Sequence, residues 1–385
     1  MNCPTAKPIS TPHCGAGYGR ATCYVTVMGN NLRTGRRSGA PTISDVAEIA
    51  GVSPMTVSRV INGEANVREA TRDKVNAAIA ALSYAPNRAA RSLAGAEQMR
   101  IGLLYSNPSS AYLSEFLVGS LDQASRSDVQ LIVEKCEIGD HEVEVAHHLI
   151  RGGIDGVILP PPLCDSQAVL DVLFAAGVPT VVVATGRAPV EAAAVVIDDF
   201  HAAQAMTAHL IGLGHVRVGF ILGNPNQTAS AQRHHGYLAA LAEAGLAQDD
   251  ALVVQGLFTY RSGLDAAELL LEQADPPSAI FASNDDMAAA TVAVAHRRGL
   301  DVPGDLTVCG FDDSALATTI WPELTTIHQP IAAMSRAAVE LLVATIGGRK
   351  GKGPAENRHI VLHYTLVRRQ SDAAPRRRPS ARHRA

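Results

Sequence analysis

The sequence predicts a small all-α domain at the N-terminal end of the chain, followed by a larger α/β core whose parallel sheets form two subdomains. Two observations carry this prediction. Residues 42–63 have the pattern of two short helices joined by a tight turn, and from residue 100 onward β-rich segments recur at intervals of about 20–30 residues, with amphipathic helices between them. This alternation covers roughly 250 residues, which exceeds one Rossmann-like sheet and favours two subdomains with a cleft between them.

The helix-turn-helix pattern lies in the segment TISDVAEIAGVSPMTVSRVING. Ser44 and Asp45 offer oxygen side chains to cap a first helix, and Gly51 can adopt the left-handed backbone that ends it. Ser53 then caps a second helix that opens with Pro54, where a missing N–H costs nothing. The outer face of this helix carries small hydroxyls, an amide and an arginine, and an ordinary helical hairpin remains the alternative.

Composition and patterning divide the chain into five regions: a disordered extension (1–40), the helix-turn-helix domain (41–85), a hinge helix or linker (86–97), the core (98–371) and a disordered basic tail (372–385). Met28 would suffice as a natural start, so we interpret residues 1–27 as a gene-start artefact. A third helix from Val67 to Tyr84 completes the N-terminal domain. The linker helix is too short to be stable alone, so it is either a flexible tether or a segment that folds on DNA.

Charge is distributed unevenly along the chain. The net charge of −4 combines +6 on residues 1–100 and +9 on residues 349–385 with −19 on the segment between them. A basic N-terminal region attached to an acidic core is typical of a protein whose N-terminal domain binds a polyanion. No apolar run reaches the roughly 20 residues of a membrane helix, no signal peptide is recognisable, and the six cysteines form no CxxC pair. These features predict a cytoplasmic protein with reduced thiols and no membrane contact.

Nine strands are predicted in the core, at Ile101–Tyr105, Leu131–Val133, Gly156–Pro160, Val178–Val183, Ala194–Ile197, Val218–Leu222, Leu252–Val254, Ala279–Ala282 and Leu306–Cys309. Ligands of such sheets bind outside the carboxyl ends of the strands. Four strands run into polar pairs: Ser106-Asn107, Asp198-Asp199, Asn284-Asp285 and Asp312-Asp313.

Three further residues suit the same site. Arg233 lies near the start of a helix, while Tyr112 and Phe258 offer flat aromatic faces. Asp, Asn and Arg make paired hydrogen bonds to vicinal hydroxyls, and aromatic rings cover the C–H surface of sugars. Any one such residue is more often a turn former or a helix cap, but four strand ends together favour a polyol site.

Signals of enzymatic activity are weak. The sequence contains no G-x-S-x-G, P-loop, dinucleotide-binding or H-E-x-x-H motif. His147-His148 and His234-His235 are adjacent pairs whose side chains diverge on a helix, so neither pair forms a natural chelate. We therefore predict no catalytic residues, no metal ligands and no cofactor.

Several spaced motifs resemble the LacI/GalR family of bacterial transcription regulators, the lactose, galactose and purine repressors. The match runs from about Pro41 to Ser371. It includes TISDVA, AGVS and TVSRVING in residues 42–63, YAPN and ARSL in residues 84–93, HL and LGH in residues 209–215, Arg233 with GY and AL, GFDD at 310–313 and PELTTI at 322–327. The resemblance implies a periplasmic-binding-protein-like core with an effector in its cleft, and a homodimer on a near-palindromic double-stranded DNA operator.

The resemblance also implies roles in DNA binding. Pro54, Met55 and Arg59 take the base-reading positions, and the phosphate-contacting positions fall on Thr42, Ser53, Thr56, Ser58 and Asn62. The guanidinium fork of Arg59 can hold guanine O6 and N7, and hydroxyls and amides suit phosphates. Pro54 and Met55 depart from members with polar groups there, so readout leans on Arg59 and on DNA shape. Leu93 matches the hinge leucine that wedges into the minor groove.

For the effector, the resemblance implies Asn107 and Tyr112 from the first subdomain, with Asp198 as a looser candidate. From the second subdomain it implies Arg233, Phe258, Asn284 and Asp312. The expected effector is a carbohydrate or sugar derivative, a purine remains an alternative, and the sequence does not say whether the effector releases or recruits the protein. The absence of a heptad-patterned C-terminal segment favours a dimer.

Three function classes compete. The first is a repressor controlled by a small molecule. The second, a transport-type sugar-binding protein, needs a signal peptide and has no use for residues 42–95. The third, an α/β enzyme with a DNA-binding appendage, needs a catalytic constellation that the sequence lacks. The first is favoured because it accounts for both the N-terminal helix-turn-helix and the ligand-binding core.

Overall fold

A computed structural model describes residues 42–61, 67–82, 98–106, 109–137, 139–347 and 358–376. Several predicted features lie outside these ranges, namely the extension 1–40, the hinge 86–97 with Leu93, and the site residues Asn62 and Asn107. The chain divides into two compact units, residues 1–95 and 96–385, which are described separately.

The first unit contains three helices in its described residues: α1 (Ile43–Ala50), α2 (Pro54–Ile61) and α3 (Glu69–Leu82). The three helices pack around a small core of buried side chains: Val46, Ala47, Val57, Val60, Val75 and Ala78. The apolar residues recur at helical spacing on each helix, so one face of each is driven out of water. This arrangement confirms the helix-turn-helix pattern predicted from the sequence.

The ends of α1 differ in one detail from the prediction. Thr42, not Ser44, caps the helix, and its hydroxyl exchanges hydrogen bonds with Asp45 in a capping box. Gly51 ends the helix in the left-handed region, with φ of 65°, as predicted. The hydroxyl of Ser53 accepts a hydrogen bond from the backbone N–H of Thr56 at 3.2 Å, so α2 opens at Pro54 with its cap in place.

The second unit begins with the first subdomain. Its elements, in chain order, are β1 (Arg100–Tyr105), α4 (Ser110–Arg126), β2 (Gln130–Lys135), α5 (Glu142–Arg151), β3 (Gly156–Leu159), α6 (Gln167–Ala175), β4 (Thr180–Val183) and β5 (Ala193–Val196). The chain then enters the second subdomain, whose elements are α7 (Asp199–Gly212), β6 (Val218–Leu222), α8 (Thr228–Glu243), β7 (Val253–Gln255), α9 (Tyr260–Leu271), β8 (Ala279–Ala282), α10 (Asp285–Arg297), β9 (Thr307–Asp312), α11 (Ala315–Thr319) and β10 (Thr325–His328).

The chain crosses between the subdomains three times. After β10 it returns to the first subdomain as α12 (Ile331–Gly347) and β11 (His359–Val361), and it crosses back to form β12 (Thr365–Val367). The two six-stranded sheets have the orders β11-β5-β4-β3-β1-β2 and β12-β10-β9-β8-β6-β7. Every pairing is parallel except that of β10 with the edge strand β12. These sheets confirm the predicted fold class.

Strand register brings the carboxyl ends of each sheet to one edge. Leu103 pairs with Ile158 and Leu159 with Val182 in the first sheet, while Phe281 lies between Phe220 and Cys309 in the second. All seven of these side chains are fully buried because helices cover both faces of each sheet. The loops that leave the carboxyl ends therefore converge between the two subdomains.

The prediction places the start of the disordered tail, at residue 372, too early in the chain. Asp372 is buried, and its carboxylate accepts hydrogen bonds from His209 at 2.8 Å and from Thr325 at 2.5 Å. Arg376 forms an ion pair with Asp301 at 2.8 Å. Residues 372–376 are thus packed along the second sheet, and only residues 377–385 of the predicted tail lie outside the described ranges. No helix in the described residues is long and apolar enough to cross a bilayer.

Candidate functional site

A cavity of about 40 Å³ lies between the subdomains at the carboxyl ends of the strands. Its walls are formed by Ser109, Tyr112, Pro161 and Ala184 from the first subdomain, by Gln329 from a crossing segment, and by Gln227, Ala229, Arg233, Phe258, Asn284 and Asp312 from the second. Small-molecule pockets usually measure roughly 300–1,000 Å³. The cavity is therefore smaller than a ligand of ordinary size, which fits only if the surrounding side chains or the subdomains move.

Arg233 is the cation of this cavity. It lies in the second turn of α8 and is only 4% exposed. Its Nε donates to Asp199 at 2.8 Å and its Nη1 donates to the carbonyl of Ser283 at 2.5 Å. Nη1 also lies 4.0 Å from a carboxylate oxygen of Asp312. Its remaining nitrogen, Nη2, makes no hydrogen bond to the described residues, so a donor is left for a ligand.

Asp312 ends β9 in an unusual backbone conformation, with φ of 115°. Its carboxylate accepts a hydrogen bond from Nε2 of Gln329 at 2.6 Å. Burial raises the pKa of Asp312 well above its usual range, although Arg233 opposes the shift. The loop that follows is held by Asp285, which accepts hydrogen bonds from the backbone N–H and the hydroxyl of Ser314. Asp312 is thus fixed from both neighbouring segments.

Phe258 and Asn284 form one unit on the same side of the cavity. The Oδ1 atom of Asn284 caps α10 by accepting from the N–H of Met287 at 3.0 Å, while its Nδ2 donates to the carbonyl of Phe258 at 3.1 Å. A Cβ at Gly223 would lie 2.0 Å from the ring of Phe258, so only glycine lets the ring reach this position. The amide of Asn284 therefore positions the aromatic face.

Two buried polar atoms of the cavity lack hydrogen-bond partners among the described residues. They are the hydroxyl of Tyr112 and the Oε1 atom of Gln329. An unpaired buried polar atom costs about 1–3 kcal/mol, so such atoms are rare in folded proteins. Burial also raises the pKa of Tyr112 well above its usual range, so its hydroxyl keeps its proton. A ligand with hydroxyl groups would satisfy both atoms.

Backbone strain is concentrated at the cavity. Of the five non-glycine residues with positive φ in the described ranges, three line it: Ala184 (53°), Phe258 (59°) and Asp312 (115°). Each such residue costs on the order of 1–3 kcal/mol, and strain of this kind is typical of ligand sites.

The structure brings together five of the seven residues predicted for the effector, namely Tyr112, Arg233, Phe258, Asn284 and Asp312. Asp198 does not line the cavity; it is exposed, and its carboxylate caps α7 by accepting from the backbone N–H of His201 at 3.0 Å. Its neighbour Asp199 is the one that contacts Arg233. Sequence reasoning did not identify Ser109, Gln227 and Gln329; Gln329 follows the carboxyl end of β10, a strand that was not predicted.

The first unit presents the predicted DNA-contacting residues on α2 and its cap. Ser53, Pro54, Met55 and Arg59 are exposed, and Met55 is 65% exposed although it is apolar. Thr56 and Ser58 are partly buried, and the hydroxyl of Thr56 is 2.9 Å from that of Ser53. Met55 thus offers an apolar contact surface in the first turn of α2.

Comparison with known protein families assigns both units. Residues 42–87 match the model of bacterial regulatory proteins of the LacI family, and residues 207–371 match a periplasmic binding protein-like domain. The catabolite control protein A of Priestia megaterium is 35% identical over 332 residues, which span 86% of this chain and 98% of that protein. The chain belongs to the LacI family.

Solved structures of LacI-family members agree with this assignment. The complex of the transcriptional regulator CelR with cellobiose is 33% identical, with a TM-score of 0.65 over 86% of this chain and 99% of that one. A lac repressor dimer bound to operator and to the anti-inducer ONPF is 29% identical, with a TM-score of 0.66 over 87% and 100% of the two chains. The LacI-family chain described here is accordingly a DNA-binding transcription regulator and not an enzyme.

Proposed function

We propose that the chain is a transcription repressor whose affinity for its operator is controlled by a small carbohydrate bound in the cavity between the subdomains. The observation that carries the proposal is the pair of unsatisfied buried atoms, the Tyr112 hydroxyl and Gln329 Oε1, beside the free Nη2 of Arg233. One donor, one acceptor and one hydroxyl that can do either suit the vicinal hydroxyls of a sugar. Phe258 supplies the face for its C–H surface.

The site residues follow from this proposal. Tyr112, Arg233, Phe258 and Asp312 contact the effector, with Gln329 as an additional contact, and Asn284 positions Phe258. Pro54, Met55 and Arg59 face the bases of the operator, and the hydroxyls of α2 and its cap face phosphates. Asn62, Leu93 and Asn107 keep the roles implied by the family resemblance. In the related lac repressor the DNA-bound form is a dimer, and we assign this chain a homodimer, a near-palindromic operator and a cytoplasmic location.

The test begins with selection of an operator from random duplexes by the full-length chain. Neutral mono- and disaccharides including cellobiose, sugar phosphates and purines are then screened for two effects, a rise in Tm and a change in operator affinity. A cleft ligand raises Tm by mass action. We expect a neutral sugar to do both. The proposal fails if the chain binds the selected operator and a scrambled duplex equally, or if only phosphates or purines act.

A further inference from the structure

A second cluster of polar groups joins the subdomains beside the cavity, outside the set of residues that line it. Asp165 follows β3 in the first subdomain, and Thr228 is the first residue of α8 in the second. One oxygen of Asp165, Oδ2, accepts from the backbone N–H of Thr228 at 2.9 Å, and the other, Oδ1, accepts from its hydroxyl at 2.8 Å. The Oδ1 atom also accepts from the hydroxyl of Thr185 at 2.7 Å.

This carboxylate acts as the N-terminal cap of α8. The residue in the usual capping position, Gln227, makes no side-chain cap hydrogen bond. A helix N-terminus carries unpaired N–H groups and a partial positive charge, and both are stabilised by a carboxylate. In α8 that carboxylate comes from the other subdomain, so the helix is fully capped only while the cleft is closed.

The backbones also meet at this point. The N–H of Gly186, in the first subdomain, donates to the hydroxyl of Thr228 at 2.9 Å. A Cβ at Gly186 would lie 2.6 Å from the carbonyl oxygen of Thr228. No residue with a Cβ fits this approach, and closure to this distance therefore depends on Gly186.

We propose that Asp165 is a positioning residue that latches the cleft. It holds α8, and with it Arg233 five residues further along, against the first subdomain when no effector is bound. The cavity of about 40 Å³ is the expected result of such a latch. Effector entry then requires the hydrogen bonds of Asp165 to break, so the latch sets the fraction of molecules that can accept a ligand. The inference concerns closure alone and does not depend on the identity of the effector.

The latch is tested by amide hydrogen exchange on the full-length chain, with no ligand present. In Asp165→Ala we expect faster exchange at the amide of Thr228, which loses its cap, and also at the amide of Gly186, which donates to Thr228 and not to Asp165. The expected acceleration is about fivefold at each amide. Ser166→Ala removes the cap of α6 within the first subdomain and is the matched control; it should change neither amide.

Two further variants separate closure from local capping. Gly186→Ala leaves Asp165 intact but wedges the backbones apart, so it should accelerate exchange at Thr228 to a similar extent. Thr228→Ser keeps the hydroxyl and should retain wild-type exchange at both amides, whereas Thr228→Val should not. If Asp165→Ala accelerates exchange at Thr228 alone and Gly186→Ala leaves exchange at Thr228 unchanged, Asp165 is a local helix cap and the latch is refuted.

Discussion

The guanidinium carbon of Arg233 lies 3.5 Å from the centroid of the Phe311 ring. Phe311 is fully buried, so the arginine is stacked on an apolar surface while Asp199 and the carbonyl of Ser283 hold its nitrogens. A planar, delocalised cation can satisfy both demands, and a lysine ammonium cannot. Arg233 is therefore part of the structure of the second subdomain as well as part of the ligand site.

This dual role leads to a prediction for Arg233→Ala. The substitution should abolish the effector response, and it should also destabilise the core by about 3 kcal/mol because it leaves the buried carboxylate of Asp199 without its partner. Urea denaturation measures the loss of stability. The double variant Arg233→Met/Asp199→Asn is the control, since it removes both charges. It should recover most of the stability without recovering the response; an effector response in either variant would show that the ligand binds elsewhere.

Arg59→Ala should weaken binding to the selected operator by about 1–3 kcal/mol, because a bidentate contact to guanine is lost. Fluorescence anisotropy with the operator and with a scrambled duplex measures the effect. Lys74→Ala, an exposed cation on α3, should change the two affinities by the same small factor. Should Arg59→Ala also weaken both duplexes equally, Arg59 contacts phosphate and not a base.

Asp312→Asn should make the chain more stable at neutral pH. Burial raises the pKa of Asp312, so as the pH rises the unfolded chain loses this proton first and the folded state loses stability relative to it. The asparagine cannot ionise, yet its Oδ1 can still accept from Gln329. Urea denaturation between pH 5 and pH 8 should therefore show an advantage for Asp312→Asn that grows with pH, together with weaker effector binding.

Asp198→Asn should change the stability in the opposite direction to Asp312→Asn. Partial burial opposes ionisation of Asp198, but hydrogen bonds from His201 outweigh it and lower its pKa. Its ionised form is thus stabilised in the folded state above the unfolded pKa near 4, and the benefit is lost as the pH falls through the lowered value. Asp198→Asn should be less stable than the parent chain at pH 7. A parallel pH dependence for the two variants would contradict the role of burial at Asp312.

Deletion of residues 371–385 should destabilise the core, whereas deletion of residues 377–385 should not. Ser371 exchanges backbone and hydroxyl hydrogen bonds with Val308 and accepts from the N–H of Thr325 at 2.8 Å. Asp372 and Ala373 add bonds to His209 and Thr307. At roughly 1 kcal/mol for each of these five bonds, the longer deletion should cost about 5 kcal/mol. Equal Tm values for the two deletions would show that this segment contributes nothing to stability.

The strands that sequence reasoning located are those that alternate with amphipathic helices along the chain. All nine predicted strands correspond to β1–β9, because their apolar runs are flanked by turn residues and separated by amphipathic helices. Three strands, β10, β11 and β12, were missed. β10 contains two threonines between Pro322 and Pro330, and β11 and β12 are three-residue edge strands. No helix lies between β11 and β12, and β10 lacks the run of aliphatic residues that predicts a buried strand.

The sequence predicted the site residues that directly follow a strand. It did not predict which side of the following helix a given side chain would face. Asp198 and Asp199 both follow β5, and the backbone turn into α7 decides which of them caps the helix and which faces Arg233. That turn is set by tertiary packing and is not visible in the sequence. The link between Asp165 and Thr228 joins residues 63 positions apart, and only the closed cleft brings them together.

The left-handed residues around the cavity limit how its selectivity can be changed. At Ala184, Phe258 and Asp312 the backbone already favours glycine, asparagine or aspartate, and β-branched replacements there would add strain to any gain in contact. Ser109 and Gln227 have ordinary extended backbone, with φ of −87° and −109°. Libraries that aim to retarget the regulator to a different effector should therefore vary Ser109 and Gln227 and leave the three strained positions unchanged.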